Sequence, residues 1–338
     1  MRKLFLTLAV VLGGLGSMSP RACAQNAPAP TAATGQVRDI DVGVFLASLY
    51  DVNPATSSFL AEFYIWTDQR ATDFDPLESM VFPGSKGQEL VFKGVREVDG
   101  VQWSLRRYRS TFFHDWDLTY FPFDKHQLKF QMREGAHQAL SFNFRPDVKQ
   151  SGMDSHFTVP GWNVSDFHIG MENVTYTTTF GNPTGAEPEQ FSWITATVTM
   201  KRTAFLLFTK LMSGAYISLA AALFACLMTT SQPPVLSGRI IVQVNCLFGA
   251  ILNSRATDAV LGREDQFTLM QLLHVCIYFI IFMTMIITIR SRLLVERKEE
   301  EKAVRFERRW TVVLAAAFVV VNIILISVAA LSPVEAAH

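Results

Sequence analysis

One segment of the chain is long and apolar enough to cross a membrane, yet it carries several polar or charged side chains. Among them are Arg239, Gln243, Asn245, Asn253, Ser254 and Arg255. Polar groups at membrane depth are costly and normally face protein or water. Two kinds of chemistry would explain them: a wet stripe along which ions pass, or hydrogen bonds that hold this helix among its neighbours. The residue types alone leave both explanations open.

Helical spacing divides this segment into two stripes. Steps of four and three residues align Ile241, Asn245, Phe248, Leu252 and Arg255. A second stripe carries Gln243, Cys246, Ala250, Asn253 and Thr257. Spacing does not decide which of the two faces water.

A second informative stretch is HDWDLTYFPFDKHQLKF, residues 114–130. Pro122 fixes its own φ and cannot donate to a sheet. After it, apolar and polar residues alternate, which predicts a strand with one buried face. The loop residues Phe121 and Phe123 either cap a core or dock on a membrane domain.

We expect neither an enzyme nor a cofactor or metal site. The histidines are scattered without metal-ligand spacing, and neither a G-x-S-x-G motif nor a glycine-rich phosphate loop occurs. With 30 basic and 30 acidic residues the net charge is zero, so the composition does not favour binding to nucleic acid.

The elements that would position these residues form two domains. Residues 37–202 consist of short strands separated by turn signals, among them Asp99-Gly100, and predict a β-sandwich of about ten strands, immunoglobulin-like. Residues 203–331 contain four apolar segments, each near the ~20 residues that span a bilayer. These predicted helices cover about 203–228, 239–260, 267–290 and 310–331.

The chain ends and the charged loop predict an orientation. Residues 1–24 read as a signal peptide and residues 25–36 as a flexible linker, so the β domain would lie outside the cell or in the periplasm. The short loop 291–309 is rich in Lys and Arg and would be cytoplasmic. The C-terminus would then lie on the same side as the β domain, in a multi-pass protein of the plasma or inner membrane.

The 114–130 stretch, the domain order and the four helices together resemble the pentameric ligand-gated ion channels. This is the Cys-loop receptor superfamily, in the disulfide-free form of its prokaryotic members, because His114 and Leu128 stand where the family has its bridging cysteines. The resemblance covers residues 37–331. Trp66-Thr67-Asp68 and Pro160-Gly161-Trp162 resemble two further motifs of the family.

The resemblance implies a homopentamer with an axial pore lined by the second helix. Aligning Arg239 with the basic residue that opens that helix in the family makes the first stripe pore-lining: Ile241, Asn245, Phe248, Leu252 and Arg255. The selectivity region would comprise Ser237, Gly238, Arg239 and Asp258. The family's cation channels carry an acidic residue before the basic one, and its absence here leaves cation or anion permeation open.

The resemblance also implies a coupling interface between the domains and an agonist site between subunits. The coupling residues would be Asn53, Pro54, Phe121, Pro122, Phe123, Asp124, Arg202, Leu261, Gly262 and Arg263. The ligand-binding residues would be Phe82, Arg133, Glu134, Tyr176 and Phe180. The aromatic residue that amine receptors carry near Glu134 is missing, so a cage for an ammonium ligand is not supported.

Three functions remain as alternatives. The first is a channel opened by a small-molecule agonist, and the second is a channel of the same fold opened by protons. The third is a membrane-anchored sensor that does not conduct. The partners expected are further copies of the chain, an agonist or protons, inorganic ions and the lipid bilayer.

Overall fold

The computed structural model describes residues 38–70, 75–135, 142–178, 189–228, 233–262 and 266–332. The predicted signal peptide (1–24) and linker (25–36) lie outside the described residues. The strands of the described part are β1 (Arg38–Asn53), β2 (Ser58–Gln69), β3 (Met80–Val81), β4 (Ser85–Val98), β5 (Val101–Phe113), β6 (Lys125–Glu134), β7 (Phe142–Pro146), β8 (Gly152–Met153), β9 (Trp162–Thr175) and β10 (Gln190–Arg202).

The strands form two sheets. The first has the order β4-β5-β2-β1-β7, with β8 also paired to β1, and the second has the order β3-β6-β10-β9. Pairing is antiparallel except where β7 and β8 run parallel to β1. The sheets share one apolar core, in which the rings of Phe63 from β2 and Phe130 from β6 lie 5.3 Å apart.

Local sequence patterns explain why these strands form. In β6 the residues Leu128, Phe130 and Met132 are fully buried, and the residues between them are partly exposed, so the predicted alternation is confirmed. Strands β4 and β5 are joined by Asp99-Gly100, with φ angles of 53° and 75°. Such a two-residue turn needs positive φ at both positions, which Asp and Gly accept most readily.

Four long apolar helices follow the sheets, as predicted from composition. They are α1 (Ala204–Ala225), α2 (Pro233–Leu261), α3 (Leu269–Glu296) and α4 (Glu300–Leu331). Helix α2 begins six positions before the predicted residue 239. Proline is well tolerated in the first helical turn, so Pro233 starts this helix rather than preventing it. A capping box formed by Thr268 and Gln271 begins α3.

Residues 291–309, which we expect from their mixed charges to be a short cytoplasmic loop with a helical extension, are mostly helical. Helix α3 continues to Glu296 and α4 already begins at Glu300, so only Arg297–Glu299 separates them. Charged side chains stabilise these extensions: Arg292 pairs with Glu296 and Lys302 with Glu299. A helix can continue beyond its apolar segment into charged residues. A prediction from hydropathy therefore underestimates the length of the helix.

Candidate functional site

Helix α2 has one face covered by the rest of its own chain. It packs against α1 and α3. The second stripe lies on this covered face, since Gln243, Ala250 and Thr257 are buried and Cys246 and Asn253 are partly buried. The polar members are bonded: Asn253 Oδ1 lies 3.0 Å from Nε2 of His274 on α3. On this face the polar groups hold the helix among its neighbours.

Arg239 also lies on the covered face. Its guanidinium is buried and donates to Glu307 Oε1 of α4 at 2.8 Å, to the backbone oxygen of Cys226 at 3.2 Å and to Thr288 Oγ1 at 3.4 Å. Gln243 Nε2 donates to the same Thr288 hydroxyl at 3.0 Å. A buried charge requires such pairing, because desolvation of an isolated guanidinium is very costly.

The expectation that Arg239 belongs to a selectivity region at the mouth of a pore stays a prediction, but its side chain does not lie on the uncovered face of α2. Its neighbours Ser237 and Gly238 are exposed, but the Arg239 side chain points into the bundle and its charge is balanced by Glu307. Asp258, at the other end of α2, is partly buried and accepts a hydrogen bond from Gln271 at 3.1 Å.

The opposite face of α2 is uncovered along its length. It carries the first stripe, in which Ile241, Phe248 and Leu252 are 59%, 61% and 70% exposed. Asn245 and Arg255 on the same stripe are exposed as well. Lipid does not suit an amide and a guanidinium, so this face requires water or another protein surface.

The β domain meets the helices at a buried ionic cluster. Asp124 follows the Phe121-Pro122 bond, which is cis, and is almost fully buried. Arg202, at the end of β10, donates from Nε and Nη2 to its two carboxylate oxygens, each at 2.8 Å. His126 Nε2 lies 2.8 Å from Asp124 Oδ2. Burial alone would raise the pKa of Asp124, but the bonds to His126 and Arg202 outweigh it and lower the pKa.

Aromatic rings fix the position of Arg202. Its guanidinium carbon lies 4.0 Å from the ring centre of Trp162 and 5.0 Å from that of Phe121. Phe121 is itself buried in the β-domain core. Phe123 packs on Phe208 of α1, with ring centres 5.6 Å apart. Each phenylalanine therefore has one of the two predicted roles. Phe121 lies in the core, and Phe123 packs on an apolar helix.

The segment between α2 and α3 is held directly by the β domain. Gln266 Nε2 donates to the backbone oxygen of Trp116 at 2.8 Å, and Gln266 Oε1 accepts from the Leu118 amide at 2.7 Å. The amide of Leu269 donates to the backbone oxygen of Thr119 at 2.8 Å. The 114–130 loop is thus joined to the start of α3 by three hydrogen bonds.

The turn between β1 and β2 reaches the end of α2. Asn53 accepts from the Ala55 amide and caps the short 3-10 helix Pro54–Thr56. Gly262, at φ 64°, follows Leu261, and a Cβ on it would lie 2.6 Å from the Cβ of Ala55. Glycine is therefore required there by both conformation and space. Arg263, also expected at this interface, lies outside the described residues.

The structure brings together only part of the predicted ligand-binding set. Phe82 is a core residue, with its ring 4.9 Å from that of Tyr108, so a ligand cannot reach it. Glu134 is also buried and bonds to the Ser79 hydroxyl. Arg133 and Tyr176 do meet, at 5.7 Å from guanidinium carbon to ring centre. Phe180 lies outside the described residues.

Several residues of the site could not be found from local sequence patterns. Glu307 lies 68 positions from Arg239, and Gln266 lies 150 positions from Trp116. Lys125 donates to the backbone oxygen of Ser332, after the end of α4, across 207 positions. No local signal distinguishes Glu307, because the segment around it is already rich in charged residues.

No protein-family model matches the chain, and a search of curated proteins finds no match to it.

Proposed function

We propose that the protein is a ligand-gated ion channel of the pentameric type, with α2 lining its pore. The observation that carries this proposal is the division of α2 into two faces. Arg239 and Gln243 are held inside the subunit, while Asn245 and Arg255 remain uncovered on a helix of membrane-spanning length. In a ring of identical subunits that uncovered face surrounds water.

The same face supplies a gate. Phe248 and Leu252 lie one turn apart and are its most exposed apolar residues. A ring of phenylalanines, one from each subunit, excludes water from a narrow pore and blocks ions without closing it completely.

The contacts between the domains support a route from binding to the gate. The loop that contains Asp124 is bonded to the α2–α3 segment through Gln266, and the β1–β2 turn touches Gly262 at the end of α2. A movement of the β domain therefore reaches both ends of that segment. An agonist bound between subunits opens the pore when it binds the open state more tightly.

The homopentamer, the bilayer and the permeant ions are the partners that this function needs. We propose that the charged segment between α3 and α4 lies in the cytoplasm, as the positive-inside rule favours, and that the β domain and the C-terminus lie outside. Neutralisation of Arg239 by Glu307 leaves uncharged Ser237 and Gly238 at the exposed inner end of α2. We therefore propose that charges elsewhere on the pore, such as Arg255, decide between anions and cations.

Gating by protons is a second candidate, and one observation favours it. His126 and Asp124 form a buried pair at the contact between the domains, next to His114. A change in the charge of this pair would act directly on the contact between the domains.

The first test is ion flux through reconstituted full-length protein, comparing wild type with Phe248→Ala. Removing the ring should wet the constriction and raise the resting flux about tenfold or more, since each ~1.4 kcal/mol removed from a barrier gives a factor of ten. The matched control is Phe279→Ala on α3, because Phe279 and Phe248 are both 61% exposed. The control should leave the resting flux unchanged.

The outcomes separate the candidate functions. A leak in Phe248→Ala alone supports the pore and its register, and the reversal potential then gives ion selectivity. A wild-type flux that follows external pH without added ligand favours gating by protons. If neither the wild type nor Phe248→Ala conducts while the protein is folded and oligomeric, either the register of α2 is wrong or the protein is a membrane-anchored sensor that does not conduct.

A further inference from the structure

The charged segment that joins α3 to α4 separates its charges along the helix axis. Four of its five acids lie at the tip, where the two helices meet: Glu296, Glu299, Glu300 and Glu301. The fifth, Glu307, is buried and neutralised by Arg239. From Arg305 to the apolar part of α4, every charge that is not neutralised inside the bundle is therefore an arginine.

Three of these arginines share the outer face of α4. Arg305, Arg308 and Arg309 stand at i, i+3 and i+4, which makes their side chains neighbours on one side of the helix. All three are exposed. The buried residues of this part of α4 lie on the opposite side: Ala303, Glu307 and Thr311. This arginine triad therefore points away from the bundle.

The arginine triad has almost no counter-charge within the protein. Arg308 and Arg309 make no ion pair with any residue that the structure describes. Arg305 reaches Glu301 only at 3.8 Å, and the Glu301 side chain is 94% exposed, so water screens this pair. Like charges three and four positions apart on a helix repel one another. An anion bound between the three arginines would remove this repulsion.

Directly beyond the arginine triad, α4 becomes apolar and remains uncovered. Trp310 is 44% exposed, and Val312 and Val313 are 59% and 44% exposed. Tryptophan is enriched at the boundary between lipid headgroups and hydrocarbon. The anion that fits this place therefore carries apolar chains next to its charge.

We propose that the arginine triad binds the headgroup phosphate of an anionic phospholipid, whose acyl chains lie along the exposed valines of α4. Arginine suits a phosphate because its planar guanidinium donates two parallel hydrogen bonds. A soluble anion matches the charge but not the apolar surface beside it. The place of this lipid in the cytoplasmic leaflet rests on the proposed orientation. The binding itself rests neither on that orientation nor on the channel function.

The experiment measures the quenching of tryptophan fluorescence by brominated lipids in full-length protein reconstituted into phosphatidylcholine vesicles. Five of the six tryptophans lie in residues 37–202, so Trp310 is the reporter within the helical part of the chain. Equal small fractions of the lipid are replaced by phosphatidylglycerol or phosphatidylcholine, each brominated in its acyl chains. Phosphatidylglycerol should quench the wild type more strongly, and Trp310→Phe should remove this difference.

Two double variants then locate the site. Arg308→Gln/Arg309→Gln should lower the preference for phosphatidylglycerol about fivefold for each arginine lost, the scale of one basic residue near a membrane surface. The matched control is Arg297→Gln/Lys298→Gln, because these adjacent basic residues are also exposed but lie at the tip among the acids. It removes the same charge and should leave the preference unchanged.

Three results would overturn the lipid site. They are equal quenching of the wild type by the two lipids, a preference that survives the loss of Arg308 and Arg309, and an equal loss of preference in the tip control. The last result would show an effect of net charge alone. The assay needs no ion flux, so its failure leaves the proposed channel function standing, and failure of the channel leaves the lipid site standing.

Discussion

His114 illustrates how one partly buried residue makes the β domain sensitive to acid. Its ring stands edge-on to Trp116, with centres 4.7 Å apart, and lies 5.7 Å from His126. Burial, followed by the charges of His126 and Lys129, lowers the pKa of His114 from 6.5 to about 4. The folded chain thus keeps this imidazole neutral at pH values where the unfolded chain protonates it.

The sign of the pH effect follows from that difference. Above pH 6.5 both states are neutral at His114, and the residue adds no pH dependence. As the pH falls from 6.5 towards 4 the unfolded state gains a proton that the folded state does not, so stability is lost across this window. The shift corresponds to about 3 kcal/mol at most.

The variant His114→Gln should therefore flatten the pH dependence of the melting temperature between pH 6.5 and 4. The control His156→Gln changes a loop histidine whose side chain is 91% exposed, and should leave the curve as in the wild type. A wild-type melting temperature that does not fall in this window would contradict the prediction.

At the scale of elements, α4 is fastened to α2 by the Arg239–Glu307 pair. The nitrogen and oxygen are 2.8 Å apart, and the two side chains are 0% and 7% exposed. Breaking a buried pair from one side leaves an uncompensated charge, which costs about 3–5 kcal/mol, whereas replacing both partners is far less harmful. The outermost helix therefore helps to fix the rotation of the helix that we propose lines the pore.

A double-mutant cycle tests this coupling. Glu307→Gln and Arg239→Gln should each lower the melting temperature of the detergent-solubilised protein by several degrees, and the double variant should lie closer to wild type than either. Additive losses would show that the pair does not couple the helices. The exposed pair Arg305–Glu301 on α4 provides the control, where both single changes should have little effect.

The Arg239–Glu307 pair shows which features of the helices could be predicted from the sequence and which could not. The presence of four helices long and apolar enough to span a membrane follows from length and apolar composition, and the structure confirms it. The ends of α2 and α4 do not follow, since α2 already begins at Pro233 and α4 runs through charged residues. Two stripes on α2 could be defined by spacing, but only a distant partner, Glu307, determines which one is buried.

At the scale of the whole molecule, the function that we propose depends on contacts across long sequence separations. The Gln266 side chain bonds Trp116 and Leu118, 150 and 148 positions away. The resemblance to the channel family implied a coupling role for the 114–130 loop and for the α2–α3 segment, but it carries no information on which atoms meet. Phe82 shows a second limit of sequence patterns. An aromatic residue near a loop suits a core and a ligand site equally well, and the structure has Phe82 in the core.

The final prediction concerns Gln266 as the link between the two domains. Gln266→Ala removes two hydrogen bonds, each worth about 1 kcal/mol, from the contact between the 114–130 loop and the segment before α3. The Leu118 amide loses its acceptor, so its hydrogen exchange should quicken by about tenfold, while exchange in β10 stays unchanged. Gln266→Glu keeps the acceptor for Leu118 and loses only the donor to Trp116, and should give an intermediate rate.

In the proposed channel, Gln266→Ala should weaken the opening of the pore by the β domain. The double variant Gln266→Ala/Phe248→Ala should still leak, because the gate lies beyond the link. Unchanged exchange at Leu118 would mean that another contact, such as that of Gly262 with Ala55, connects the domains.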